Sequence, residues 1–394
     1  MKRMLAAVLT AVSLLFLMSC ASQPASSSAS AESSPAENAG SASSEAAPTA
    51  PILTDAERAV EIVSQMSLEE KVGQLFFARV PESDAANDVH TYHLGGYILF
   101  GRDTKDKTAN ELIQTIQHDQ DMADIPLLIG VDEEGGTVVR VSSNSHIRSE
   151  KFKSPQQLYA QGNLQAIIHD TREKDVLLKA LGFNVNLAPV ADVSTDPKDF
   201  IFDRSFGQDA AQTSSYTSIV TSAMTSDGMG SVLKHFPGYG NNTDTHTGIA
   251  VDNRSLETFE TSDFLPFTSG LHRGGGMTAV LVSHNIVTCM DPDLPASLSP
   301  AVHEKLRKLM ADAGCENNVV MTDDLVMDAV KAYADNGSAA ALAIQAGNDL
   351  LIATDYREQI PQVIAAVKDG TLDEKLIDAA CGRVLQWKMA LGLL

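Results

Sequence analysis

Leu127-Leu128-Ile129-Gly130-Val131-Asp132 is an apolar run that ends on a carboxylate. A fully apolar segment this short reads as a strand buried on both faces. On either side of it, residues 110–122 and 170–181 carry helical spacing. The same alternation recurs along the chain. Strands are expected at 96–100, 185–188, 231–233, 278–282, 318–321 and 349–352. Helices are expected at 209–224, 256–271, 301–313 and 339–346, and from Gln359 and Asp373 onward. Ahead of these, 55–66 is helical, and Ser67-Leu68-Glu69-Glu70 forms a capping box that opens a second helix through Phe77. About seven or eight strand–helix units in one domain predict an α/β fold, a single (β/α)8 TIM-like barrel. A doubly wound sheet is the competing architecture. Its dinucleotide-binding form is disfavoured, because no Gly-x-Gly-x-x-Gly follows the first strand.

Polar groups stand just past the strand ends. Asp132 follows Val131, and Asn186 and Asp192 flank the strand ending near Pro189. Lys234 and His235 follow Leu233, His284 follows Ser283, and Asp323 follows Thr322. In a barrel these positions converge on the face where active sites lie. Any one of them could be a turn or capping residue; five at equivalent places point to an enzyme.

The densest chemistry is Lys234-His235-Phe236-Pro237-Gly238-Tyr239-Gly240-Asn241-Asn242-Thr243-Asp244-Thr245-His246. Pro237, Gly238 and Gly240 forbid regular structure, so a cation and a ring leave a strand and meet a stiff loop. A carboxylate near an imidazole fixes its tautomer and suits proton transfer, as Asp244 and His246 could do.

Residues 1–19 are excluded from the fold. Lys2 and Arg3 precede an apolar stretch from Met4 to Met18 that is too short to span a membrane comfortably and reads as a signal peptide. Leu17-Met18-Ser19-Cys20 resembles a bacterial lipobox, which implies lipidation of Cys20 and an extracytoplasmic protein anchored to the membrane. The segment 20–53, rich in Ser, Ala and Pro, lacks the apolar residues to fold and is expected to be a disordered tether. The folded domain is then 54–394. Cys289, Cys315 and Cys381 are expected as buried thiols rather than a disulfide or zinc framework. The formal charge of −22 argues against a nucleic-acid partner.

The chain resembles glycoside hydrolase family 3, in its bacterial β-N-acetylglucosaminidase branch. Four blocks carry the likeness: Gly130-Val131-Asp132-Glu133-Glu134-Gly135-Gly136, Asp203-Arg204-Ser205-Phe206-Gly207, the segment 234–246, and Met321-Thr322-Asp323-Asp324-Leu325. Asn186–Val193 and Asp291–Ser297 support it. The resemblance implies a retaining exo-β-N-acetylglucosaminidase that releases N-acetylglucosamine from peptidoglycan fragments or related β-glycosides by double displacement. On it, Asp323 is the nucleophile, and His246 with Asp244 is the acid/base dyad. Asp132, Arg204, Lys234 and His235 grip sugar hydroxyls, and Arg140 lines the site. No cofactor or metal is implied. Asp324 is expected to be a helix-start or packing group. Tyr239, Thr245, Ala250 and Thr137 depart from the family pattern.

The chemistry of the residues agrees. A retaining glycosidase needs an ionised carboxylate at the sugar and a proton donor that later becomes a base. Arg204 can serve a ligand or form a salt bridge with Asp203 or Asp192. Three readings compete with hydrolysis of a glucosaminide: a phosphorolytic or β-glucosidase variant of the same fold, a non-catalytic sugar-binding lipoprotein, and a barrel metallohydrolase. The last lacks the usual His-x-His strand-end pair.

Overall fold

Eight parallel strands define the architecture: β1 (Phe76–Arg79), β2 (Gly96–Leu99), β3 (Leu128–Val131), β4 (Val185–Asn186), β5 (Gly230–Phe236), β6 (Thr278–Val282), β7 (Val320–Thr322) and β8 (Leu351–Ala353). These belong to a computed structural model that describes residues 53–242, 250–333 and 338–394. The strands pair in the order β8-β1-β2-β3-β4-β5-β6-β7. A parallel bridge between Met321 and Leu350 joins the two ends. There Thr322 N donates to Leu350 O at 3.1 Å and Asp349 N donates to Val320 O at 2.8 Å. The sheet is a nearly closed barrel, in agreement with the expected fold.

Side-chain alternation fills it. Phe77, Leu128, Val232, Leu281, Met321 and Ile352 belong to one buried cluster inside the barrel. Their neighbours Phe76, Ala78, Ile129, Val131, Leu351 and Ala353 belong to another, against the helices. This is the period-two pattern of a strand buried on both faces. The helix Glu374–Ala390 closes the N-terminal end with Val384 and Trp387, and the Trp387 indole donates to Met277 O at 3.1 Å.

The Ser67–Glu70 capping box is formed, with both reciprocal bonds. The helix it opens ends at Gln74, however, and Phe76 begins β1. Val72, Leu75 and Phe76 fit helical spacing, so this strand was hidden in the sequence. Pairing on both edges makes it a strand: Phe76–Ala78 lie beside Leu351–Ala353, and Phe77–Arg79 beside Gly96–Ile98. Two further differences concern helices. The helix expected from Asp170 begins at Pro155 and kinks at Gly162 and Asn163. The one expected at 256–271 includes a π-turn at Phe259–Asp263. Cys315 and Cys381 are buried, as expected, but Cys289 is exposed because the loop after β6 carries it to the surface. No helix among the described residues is long and apolar enough to cross a membrane. Residues 1–52, with the signal-peptide, Cys20 and tether assignments, lie outside the described residues.

Candidate active site

A cavity of about 480 Å³ opens at the C-terminal ends of the strands. Asp132, Arg140, Arg204, Lys234, His235 and Asp323 all line it. Asp132 sits just past β3, Lys234 and His235 on β5, and Asp323 just past β7. Three segments far apart in sequence therefore converge because parallel strands all end on one face. Asp244 and His246 lie outside the described residues.

One charged chain crosses the cavity wall. Lys234 Nζ donates to Asp132 Oδ1 at 2.5 Å and to Glu134 Oε1 at 2.7 Å. Arg204 forks onto Glu134, with Nε to Oε2 at 3.1 Å and Nη2 to Oε1 at 2.8 Å. The same Nη2 donates to His235 Nε2 at 3.1 Å. A guanidinium can only donate, so Nε2 accepts and the ring proton sits on Nδ1. That proton goes to Asp192 Oδ2 at 2.7 Å. Asp192 is fully committed: Oδ2 also accepts His235 N–H at 3.1 Å, and Oδ1 accepts Tyr239 N–H at 2.7 Å. The edge of the Tyr239 ring meets His235 at 5.2 Å between centroids, so this family-divergent residue packs on the cavity-lining imidazole.

Electrostatics follow from this wiring. Burial pushes the Glu134 carboxyl up, but Arg204 and Lys234 outweigh it and hold the carboxyl well below the usual carboxylate range. Burial lowers Lys234, yet Asp132 and Glu134 raise it above an ordinary lysine despite repulsion from Arg204. Burial likewise lowers Arg204 and Glu134 more than reverses the effect. Glu134, Arg204 and Lys234 thus stay ionised across the physiological range, with the two cations fixed at the cavity by their shared carboxylate.

Several expectations are sharpened or corrected. Arg204 pairs with Glu134 and not with Asp203 or Asp192. His284 is buried and lines no part of the cavity. Its Nδ1 meets Ser297 Oγ at 2.7 Å and its Nε2 meets Asp324 O at 3.1 Å, so it braces the turn behind Asp323. Asn186 likewise holds the backbone of Glu133, at 3.0 Å to N and 3.2 Å to O. Asp324 does pack: it accepts from Thr354 Oγ1 at 2.6 Å and from Val326 N at 3.2 Å. Burial pushes its carboxyl up. Asp323 Oδ1 accepts Asp324 N–H at 2.9 Å.

Other residues were given no role by the sequence. Glu133 is buried and receives the backbone N–H groups of Arg140 and Val141, both at 2.7 Å, and so sets the loop that carries Arg140. Arg254 ties Asp252 and Asp263 together and donates to Gly238 O at 3.0 Å. A Cβ on Gly238 (φ +120°) would come within 2.4 Å of Asp263, and one on Gly240 (φ +51°) within 2.3 Å of Arg254. Both glycines are therefore required where this cluster grips the loop that leads to Asp244. Glu133 and Glu134 stand inside a quoted block and could have been flagged there. The Arg254 cluster carried no local signal.

Polar strand ends around a cavity with a carboxylate, a histidine and paired cations define a barrel hydrolase of the glycosidase class. Residues 67–387 match the glycosyl hydrolase family 3 N-terminal domain, and the chain belongs to that family. It is 30% identical over 356 residues to the β-hexosaminidase LpqI of Mycobacterium tuberculosis, covering 87% of this chain and 89% of that protein. A β-hexosaminidase of Nitrosomonas eutropha is 30% identical over 269 residues, 66% of this chain and 74% of its own. Among solved structures, a family 3 β-N-acetylglucosaminidase from a Paenibacillus species superimposes with a TM-score of 0.76 at 29% identity, covering 83% of this chain and 63% of that one. The M. tuberculosis LpqI structure gives a TM-score of 0.73 at 27% identity, covering 83% and 95%.

Proposed function

We propose that the chain is a retaining exo-β-N-acetylglucosaminidase that removes N-acetylglucosamine from peptidoglycan fragments or related β-glycosides. The observation that carries the reading is the convergence of Asp323 with Asp132, Arg204, Lys234 and His235 in one strand-end cavity. The β-hexosaminidase relatives support it. Asp132, Lys234, Arg204 and His235 hold the hydroxyls of the terminal sugar. An Asp323 oxygen attacks the anomeric carbon as the bond to the leaving oxygen breaks, and His246, oriented by Asp244, gives that oxygen its proton. His246 then takes a proton from water, whose oxygen displaces Asp323 and regenerates the carboxylate. Configuration is retained because two inversions occur.

The enzyme acts outside the cytoplasm. We place it on the membrane surface through a lipid on Cys20, with the segment up to residue 53 as a tether. Its partner there is a glycan, not a nucleic acid. The test is hydrolysis of a chromogenic N-acetyl-β-glucosaminide, with product analysis in phosphate buffer. Free N-acetylglucosamine is the expected product; a sugar phosphate, or tight binding with no turnover, would overturn the reading.

A further inference from the structure

The segment that carries Asp244 and His246 leaves β5 through Gly238 and returns at Val251–Asp252. One side chain holds both ends. Arg254 Nη2 donates to Gly238 O at 3.0 Å and to Asp252 Oδ2 at 2.8 Å. Its Nε reaches both Asp252 oxygens, at 3.1 and 3.0 Å, and its Nη1 both Asp263 oxygens, at 2.9 and 3.1 Å. The Phe259 ring centroid lies 4.4 Å from the guanidinium carbon, and Asp252 and Asp263 are both buried. The returning end is fixed a second time. Val251–Asp252 pairs in parallel with Ile286–Val287, and Asp252 O accepts Thr288 N–H at 3.0 Å. The departing end is tied to the cavity wall, since Gly238 N–H donates to His235 O at 2.8 Å and Tyr239 N–H to Asp192 Oδ1 at 2.7 Å.

Holding the fold together does not call for this arrangement. A buried cation with two carboxylates is costly to desolvate, and apolar packing of the same volume often stabilises a fold as well or better. What a planar fork adds is direction: its N–H groups point along fixed lines and hold their partners in one geometry. Arg254, Asp252 and Asp263 line no part of the strand-end cavity, so they do not contact a sugar bound there. They connect to the chemistry through the segment whose ends they join. A segment closed at its base offers His246 fewer positions, and a misplacement of about 1 Å at a reacting group costs on the order of 10²-fold in rate.

We propose that Arg254 is a positioning residue for proton transfer: by joining Gly238 to Asp252 it sets where His246 meets the leaving oxygen. Asp263 holds the guanidinium in place. This deepens the glycosidase reading and rests on its assignment of His246 as the acid.

The experiment measures kcat/KM of the full chain on 2,4-dinitrophenyl, 4-nitrophenyl and phenyl N-acetyl-β-glucosaminides, in order of increasingly basic leaving oxygen. Dinitrophenolate departs without a proton, whereas phenolate needs one. Arg254→Lys keeps the charge, but a single ammonium cannot span Asp252, Asp263 and Gly238 O together. Its expected loss on the phenyl glycoside is at least ~10-fold greater than on the dinitrophenyl one. The isosteric Asp263→Asn should show the same direction, and it carries the test where Arg254→Lys does not fold. Equal losses across the series, or wild-type rates in folded Arg254→Lys, would overturn the inference. Failure of both variants to fold would mark the cluster as structural and overturn it as well. His246→Gln should give the steep series too. A steep series there beside even losses in Arg254→Lys defeats this inference alone. Even losses in His246→Gln defeat the reading of His246 as the acid, and no cleavage by the wild-type chain defeats the glycosidase reading.

Discussion

Glu134 and Arg204 form a two-bonded ion pair inside the cavity wall, and the Glu134 oxygen shared with Arg204 Nη2 also takes Lys234 Nζ at 2.7 Å. One buried carboxylate thus sets the position of two cavity-lining cations. Glu134→Gln keeps the shape but leaves two buried cations short of charge. The expected loss is about 3–5 kcal/mol of stability, read by urea denaturation, with a fall in kcat/KM. The pH dependence has a definite sign. The folded pKa is depressed, so the pair's contribution is fully present above the unfolded value of 4.5 and is lost as pH falls through the folded one. In Glu134→Gln that acid-side slope should shrink.

Asp192 fixes the His235 tautomer through Nδ1, while Arg204 occupies Nε2. Asp192→Asn weakens that orientation and the Tyr239 N–H bond. Loss of one buried, charge-assisted bond at about 1–3 kcal/mol implies roughly a 5- to 150-fold drop in kcat/KM. Nitrogen NMR of the His235 ring should show a mixed tautomer population; an unchanged Nδ1-protonated ring would count against the assignment.

Asp323→Asn keeps the acceptor that receives Asp324 N–H at 2.9 Å, so the turn after β7 should hold. Turnover of the chromogenic glucosaminide should fall on the order of 10⁴-fold with an unaltered thermal transition. Retention of wild-type kcat would remove Asp323 from the nucleophile role.

Lys388 is wholly buried, and its ammonium meets the Gln74 amide oxygen at 2.7 Å. Burial pushes its pKa down to about 7. The unfolded chain binds this proton up to about 10.5, so stability should rise between pH 7 and that value. Lys388→Met should flatten this slope and raise stability at pH 7 by about 1–4 kcal/mol. Calorimetry across that window is the check; a lower melting temperature in the variant would show that the Gln74 bond outweighs burial.

How much was legible depended on whether each signal was local. Apolar runs closed by a polar residue located seven strands, and the same rule located Asp132, Lys234, His235 and Asp323. β1 escaped because four residues with helical spacing became a strand only by pairing with β2 and β8. His284 and Asn186 obeyed the strand-end rule yet serve as braces, since the rule gives a residue's height in the barrel but not the direction of its side chain. The Arg254 cluster depends on residues brought together from different loops.

By itself the sequence determined the alternating pattern, the barrel class and the strand-end residues, because burial on both faces and chain direction act over a few neighbouring positions. The tertiary structure alone decided which charges meet. Glu134 joins Arg204 and Lys234. Asp192 sets the ring of His235. Arg79 and Arg140 come to line the same cavity as Asp132 and Asp323. Pairing energies fall steeply with distance in a low-dielectric wall, so the identity of each partner is fixed only once the barrel closes.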